Sequence, residues 1–126
     1  KRFGILGLFD VLITIDQVSR EEKRQGKALR KPNPWPILEA ARKFTKNTKK
    51  GTVPRKGDSP LFPLFLYVGD LPDDVLAANR AKKFILIKAA AFPKFSRDPE
   101  ATLRELKKLK PDFFLKNPEE LLEIIS

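Results

Sequence analysis

Three carboxylates stand close together at Asp70, Asp73 and Asp74, directly after the apolar run Leu64-Phe65-Leu66-Tyr67-Val68. The run has the β-branched, aromatic and continuously apolar character of a buried strand. Gly69-Asp70 then closes it, and Pro72 suits the first turn of a following helix. A strand that ends in Gly-Asp and turns into a helix sets acids at the carboxyl edge of a sheet, where α/β proteins bind ligands. Carboxylates gathered there repel one another unless a cation lies between them. Hard oxygen donors suit Mg²⁺. Capping is the plain alternative: Asp70 at the helix start, with Asp73 and Asp74 complementing its dipole.

A second constellation lies upstream in Lys31-Pro32-Asn33-Pro34. Asn33 is a helix cap and Pro34 a first-turn residue. Ile37, Ala40, Ala41 and Phe44 follow at i, i+3, i+4 and i+7, one apolar stripe. Lys31 is a positive point charge on a long stem, placed where a loop enters this helix.

Together the two constellations resemble motifs III and IV of the haloacid dehalogenase-like (HAD) hydrolases. There a Lys before a Pro-x-Pro helix start precedes a strand ending in Gly-Asp-x-x-x-Asp, here Gly69-Asp70-Leu71-Pro72-Asp73-Asp74. The resemblance implies a Rossmann-like, three-layer α/β/α fold with a parallel sheet. It also implies a Mg²⁺-dependent phosphoric monoester hydrolase acting through an aspartyl-phosphate on a small phosphorylated substrate. Asp70 is then the direct metal ligand, and Asp74 acts through water or orients the site. Asp73 lies at the surface, Gly69 supports the turn, and Lys31 is the catalytic cation that neutralises the nucleophile and the phosphoryl group. The family's Asp-x-Asp nucleophile motif and its Ser/Thr motif are absent from residues 1–126. The whole of 1–126 thus reads as the C-terminal portion of one HAD-like core domain, catalytically inactive without an N-terminal half in the same or another chain. Residues 15–30 are too few for a substrate-selecting cap domain.

The elements that must position these groups alternate along the chain. Phe9–Thr14 reads as a short strand, and Asp16–Arg30 as a polar connection. After the helix from Pro34, residues 45–60 form a basic loop insertion, with no aromatic interleaving for stacking bases. The strand Leu64–Val68 precedes the helix from Pro72. Phe84–Lys88 is a third strand. Asp98-Pro99-Glu100 is cap, first-turn proline and first-turn acid of a helix that buries Leu103, Leu106 and Leu109. Asp112–Lys116 is a fourth strand, and Asn117-Pro118 opens a last helix. Such alternation predicts parallel strands with helices on both faces. One difficulty is built in. In the resembling fold, the strands at Phe9–Thr14 and Leu64–Val68 flank central strands that these residues do not contain. Each would then keep an unpaired edge.

Composition narrows the chemistry. There is no Cys and no His among the 126 residues, which excludes disulfides, thiolate catalysis, His-based triads and His metal ligands. Zero Cys with abundant Lys, Glu and Pro leans towards a thermophile cytosol. No apolar run reaches the roughly 18–20 residues that span a bilayer, and no secretory signal is evident, so a cytoplasmic location is expected. With no Met at all, residue 1 is not expected to be the natural start of the protein. The net charge is +10, and residues 1–60 hold 15 Lys/Arg against 6 Asp/Glu. This asymmetry leaves a second reading open, a non-catalytic basic module for nucleic acid or an acidic protein.

Overall fold

The computed structural model describes residues 9–47 and 64–125; the greater part of the expected 45–60 insertion lies outside them. The described elements are α1 (Ile15–Gln25), α2 (Trp35–Asn47), β1 (Phe65–Gly69), α3 (Pro72–Ala81), β2 (Ile87–Ala91), a single 3-10 turn (Pro93–Phe95), α4 (Pro99–Leu109), β3 (Phe113–Phe114) and α5 (Glu120–Ile125). The strands form one parallel sheet in the order β1-β2-β3. The α3 crossover joins β1 to β2, and α4 joins β2 to β3, as parallel pairing demands. The chain is therefore α/β.

The core lies where α3 and α4 meet the sheet. Val75, Ala78 and Ala81 of α3 pack with Ile87, Ala89 and Ala91 of β2 and with Leu106 of α4. Phe65 and Tyr67 of β1 and Ile37 and Leu38 of α2 close around them. Alanine is a poor strand former, yet Ala89, Ala90 and Ala91 are all buried in β2. On the helix side, the small side chains of Ala89 and Ala91 let the equally small Ala78 and Ala81 of α3 pack close against the sheet. Helices α2, α3 and α4 thus share one face of the sheet. On the alternate positions Val68 and Lys88 are exposed while Ala90 is buried, so the described residues show one helix-covered face and a second face that is only partly covered.

Three local expectations are corrected. Phe9–Thr14 is not a strand: it runs without regular structure, with Phe9 and Leu12 exposed. Among the described residues it has no neighbouring strand to supply ladder bonds, and an unpaired strand cannot hold its shape. Asp16–Arg30 is not merely a connection, because it contains most of α1. Thr14 caps α1, its hydroxyl accepting from the Gln17 N–H while the Gln17 side chain accepts from the Thr14 N–H. Gly26 ends α1 in the left-handed region, with φ +69°, where glycine carries no Cβ penalty. The third strand begins at Ile87, three residues after Phe84. Phe84 and Ile85 still donate back to the carbonyl of Ala81, so they belong to the turn that leaves α3.

Beyond β2 the start of α4 is as expected, but of its three expected core leucines only Leu106 is buried, with Leu103 and Leu109 half-buried. Asp98 accepts from the Ala101 N–H at the start of α4, and Leu106 is fully buried. Asn79 of α3 donates to the carbonyl of Leu109 at the far end of α4. The fourth strand shrinks to Phe113–Phe114, and Asp112 extends its hold on β2 by accepting from the Ala89 N–H at 2.8 Å and pairing with Lys82 at 2.9 Å. Burial pushes the Asp112 carboxyl up, but the Ala89 N–H and Lys82 outweigh it and leave it below the usual carboxylate range.

Leu106→Ala should cost about 2–5 kcal/mol of stability, the range for emptying a closed core site. Leu122→Ala, at a side chain 65% exposed, should stay within about 0.5 kcal/mol of the parent. Urea unfolding of the two variants beside the parent checks both.

Candidate functional site

Four segments meet at the carboxyl end of β1. Gly69 ends the strand, Asp70 and Leu71 make the turn, and Pro72 opens α3. Asp74 lies in the first turn of α3 and points back over this bend. Its Oδ2 accepts from the backbone N–H of Asp70 at 3.1 Å and of Leu71 at 3.0 Å. Two otherwise orphaned donors at a helix start are thereby satisfied by one oxygen. Leu71 is the residue at the cap position and has no side-chain oxygen to offer, so the helix start depends on Asp74. Gly69 makes the approach feasible, since a Cβ there would lie 2.2 Å from the Asp74 Cβ.

The other oxygen faces two side chains. Asp74 Oδ1 accepts from Lys31 Nζ at 2.5 Å and from the Tyr67 hydroxyl at 3.1 Å. Tyr67 comes from β1 itself. Lys31 comes from the loop between α1 and α2, whose base is pinned on both sides. Before it, Glu22 of α1 accepts from the N–H groups of Leu29 and Arg30, and Leu29 is fully buried. After it, the Lys31–Pro32 bond is cis, and the Pro32 carbonyl accepts from Arg80 of α3. Asn33 then accepts from the Trp35 N–H and donates to the Ala28 carbonyl. The expected cap of α2 is thus present.

Asp74 is 3% exposed, the one charged residue in the described core. Burial alone pushes its carboxyl up. The bonds from Lys31, the Leu71 N–H and Tyr67 outweigh burial and hold it below the ordinary carboxylate range. The Tyr67 phenol is pushed well up, first by burial and then by the Asp74 charge beside it. At neutral pH the cluster is therefore a carboxylate held by an ammonium, a neutral phenol and two amides.

The structure brings Lys31, Gly69 and Asp74 into one contact network and leaves Asp70 beside it. Asp70 contributes its N–H to Asp74, while its residue is exposed. Asp73 is exposed, as expected of a surface residue. Asp74, not Asp70, makes the bonds at the helix start, so the simple capping alternative is half right: an acid serves the helix, but the later one. Among the described residues no three acidic side chains converge. A carboxylate offers about four acceptor sites, and four donors already address Asp74. A Mg²⁺ ion held here would thus find its free carboxylate donor in the exposed Asp70 and not in Asp74. That fits the preference of Mg²⁺ for one or two carboxylates and several waters.

Sequence reasoning missed Tyr67. The available signal was parity: Tyr67 lies two residues before Gly69, and alternate residues of a strand share a face. The comparisons add no relative: no family model, no curated protein and no solved structure matches the chain. Among the described residues no helix is long and apolar enough to cross a membrane.

Asp74→Asn should lower stability at neutral pH, because Lys31 loses its partner. The Asp74 carboxyl titrates lower in the folded chain than in the unfolded one, near 3.9. Its stabilisation is therefore complete above about pH 4 and fades as the pH falls below that. The stability gap between parent and variant should close in acid; an equal gap at pH 3 and pH 7 would contradict this. Gly69→Ala should cost about 1–3 kcal/mol or more, read as a lower unfolding midpoint.

Proposed function

We propose that these residues are the lysine and acid-loop part of a Mg²⁺-dependent phosphoric monoester hydrolase of the HAD-like type, cytoplasmic and acting on a small phosphorylated substrate. The observation that carries this reading is the Lys31–Asp74 pair at the carboxyl end of β1. Forty-three residues separate the partners, and both arrive through dedicated local structure. A lysine that served only solubility would need no such anchoring.

Each residue has a task in that chemistry. Phosphoryl transfer rests on positioning and charge stabilisation. Lys31 carries three donors, one of them engaged by Asp74, and its side chain is 46% exposed. The others are available to phosphoryl oxygens. Asp74 fixes the ammonium, and with Tyr67 it holds the turn that presents Asp70. Asp70 would hold Mg²⁺, which supplies charge neutralisation at the phosphate. By resemblance, an Asp outside residues 1–126 attacks phosphorus, a second protonates the leaving alkoxide, and water releases the aspartyl-phosphate.

In the complete polypeptide, Asp70→Asn and Lys31→Gln should each lower kcat for p-nitrophenyl phosphate by at least about 100-fold. Asp73→Asn should leave it near the parent, and Asp70→Asn should keep the parent unfolding midpoint. Activity that survives Asp70→Asn, or that ignores removal of Mg²⁺ by chelation, would sink the proposal.

A further inference from the structure

A second loop lies beside the Asp70 turn at the carboxyl edge of the sheet. It leaves β2 as Phe92-Pro93-Lys94-Phe95-Ser96-Arg97 and enters α4 at its cap, Asp98. Its first residue is tied to the site, because the Phe92 N–H donates to the carbonyl of Gly69 at 2.8 Å. Pro93 opens the 3-10 turn, and the Ser96 N–H closes it on the Pro93 carbonyl at 3.0 Å. The rings of Phe92 and Phe95 meet edge-on, with centres 5.6 Å apart. Lys94 Nζ lies 5.6 Å from the centre of the Phe95 ring, within cation–π range. With both contacts made, Phe95 is still 75% exposed, more than any other large apolar side chain among the described residues.

A lone apolar side chain at a surface needs no explanation. This one is held still by a proline turn, a ring and a cation. Through Phe92 it is linked to Gly69, the residue before Asp70. A platform fixed in advance lowers the cost of ordering a ligand on it. Ligands of α/β sheets lie outside the carboxyl ends of the strands. A molecule with one end at Asp70 and Lys31 therefore extends over neighbouring loops of that edge.

The chemistry of the loop narrows what that extension is. From Phe92 to Asp98, Phe95 is the one exposed large apolar side chain, and Lys94 and Arg97 are exposed cations. An alkyl chain needs apolar walls around it, and this loop offers a single flat ring among charges. A planar aromatic ring stacks on such a platform, and the cations suit a ligand that is also an anion. A protein partner needs about 800 Å² on each side, far more than one ring supplies.

We infer that Phe95 is a specificity-determining residue: it stacks an aromatic ring carried by the phosphate ester, as in a nucleoside monophosphate or an arylmethyl phosphate. The phosphate end of this ligand rests on the phosphatase reading. The platform for its ring stands on the loop.

The test is binding to the complete polypeptide with ring-labelled phenylalanine, followed by NMR, with Mg²⁺ removed by chelation so that the esters stay intact. Adenosine monophosphate is compared with ribose phosphate, and benzyl phosphate with cyclohexylmethyl phosphate. In at least one pair the aromatic member should bind about tenfold tighter or more. It should also move the Phe95 ring signal, which is identified by its loss in Phe95→Leu. Phe95→Trp should keep the preference. Phe95→Leu keeps apolar bulk without a ring, and should bring the two members within about twofold of one another. Neither variant touches the core, so both should fold. Absence of binding by all four probes overturns the inference, as does equal binding within both pairs. A preference that survives in Phe95→Leu overturns it too. A preference that depends on Phe95, beside phosphatase activity that ignores Asp70→Asn, upholds the ring platform and defeats the phosphatase reading. Hydrolysis that needs Asp70 and Lys31, without an aromatic preference in binding, does the reverse.

Discussion

One buried carboxylate organises the site end of this molecule. Asp74 meets four donors from three segments that are remote in sequence or differ in structure: a loop lysine, a strand tyrosine and two amides of the turn. A carboxylate taken out of water without such partners would be neutralised by protonation. Here the partners win over burial, and the cost of desolvation is offset by structure that the site needs anyway. The start of α3, the aim of Lys31 and the bend at Asp70 are coupled because they share this side chain. Gly69 follows from the same constraint, as it is the empty space through which Asp74 reaches the turn.

The rest of the sheet serves that arrangement by being thin. Alanines on α3 and β2 face each other, so helix and strand approach closely and the first turn of α3 sits over the end of β1. Larger residues in these positions would lift the helix and carry Asp74 away from the Lys31 loop. The polar site and the apolar core are thus one packing problem, with Val75 and Asp74 adjacent in sequence and both buried.

Much of this was legible in the residues, and the exceptions have physical causes. Local signals read well: Asn33 before α2, Pro72 in α3 and the Asp98-Pro99 start of α4 act through atoms a few positions apart. The α/β alternation and the parallel pairing followed from the same signals. Helix α1 was missed because it buries only Val18, too little for an apolar stripe, although the capping pair Thr14 and Gln17 stood in plain view. β2 was placed three residues early because Phe84 and Leu86 have better strand propensity than the alanines that pair. Phe9–Thr14 shows the opposite limit, since strand propensity is worth nothing without a neighbour to bond. At the site, Lys31, Gly69 and Asp74 were legible as a group. The division of labour between Asp70 and Asp74, and the presence of Tyr67, depend on which way side chains point across the bend.

At the far margin of the sheet, Asp112 gives β3 something its length cannot. Two residues of ladder carry little information about alignment. The Asp112 carboxylate stands where a backbone carbonyl would stand, receiving the Ala89 N–H while also holding Lys82. If β3 slid by one position, both attachments would be lost together and a charge would be left facing an alanine wall. A single side chain thus acts as a key, letting the shortest strand find its place without a longer one to guide it.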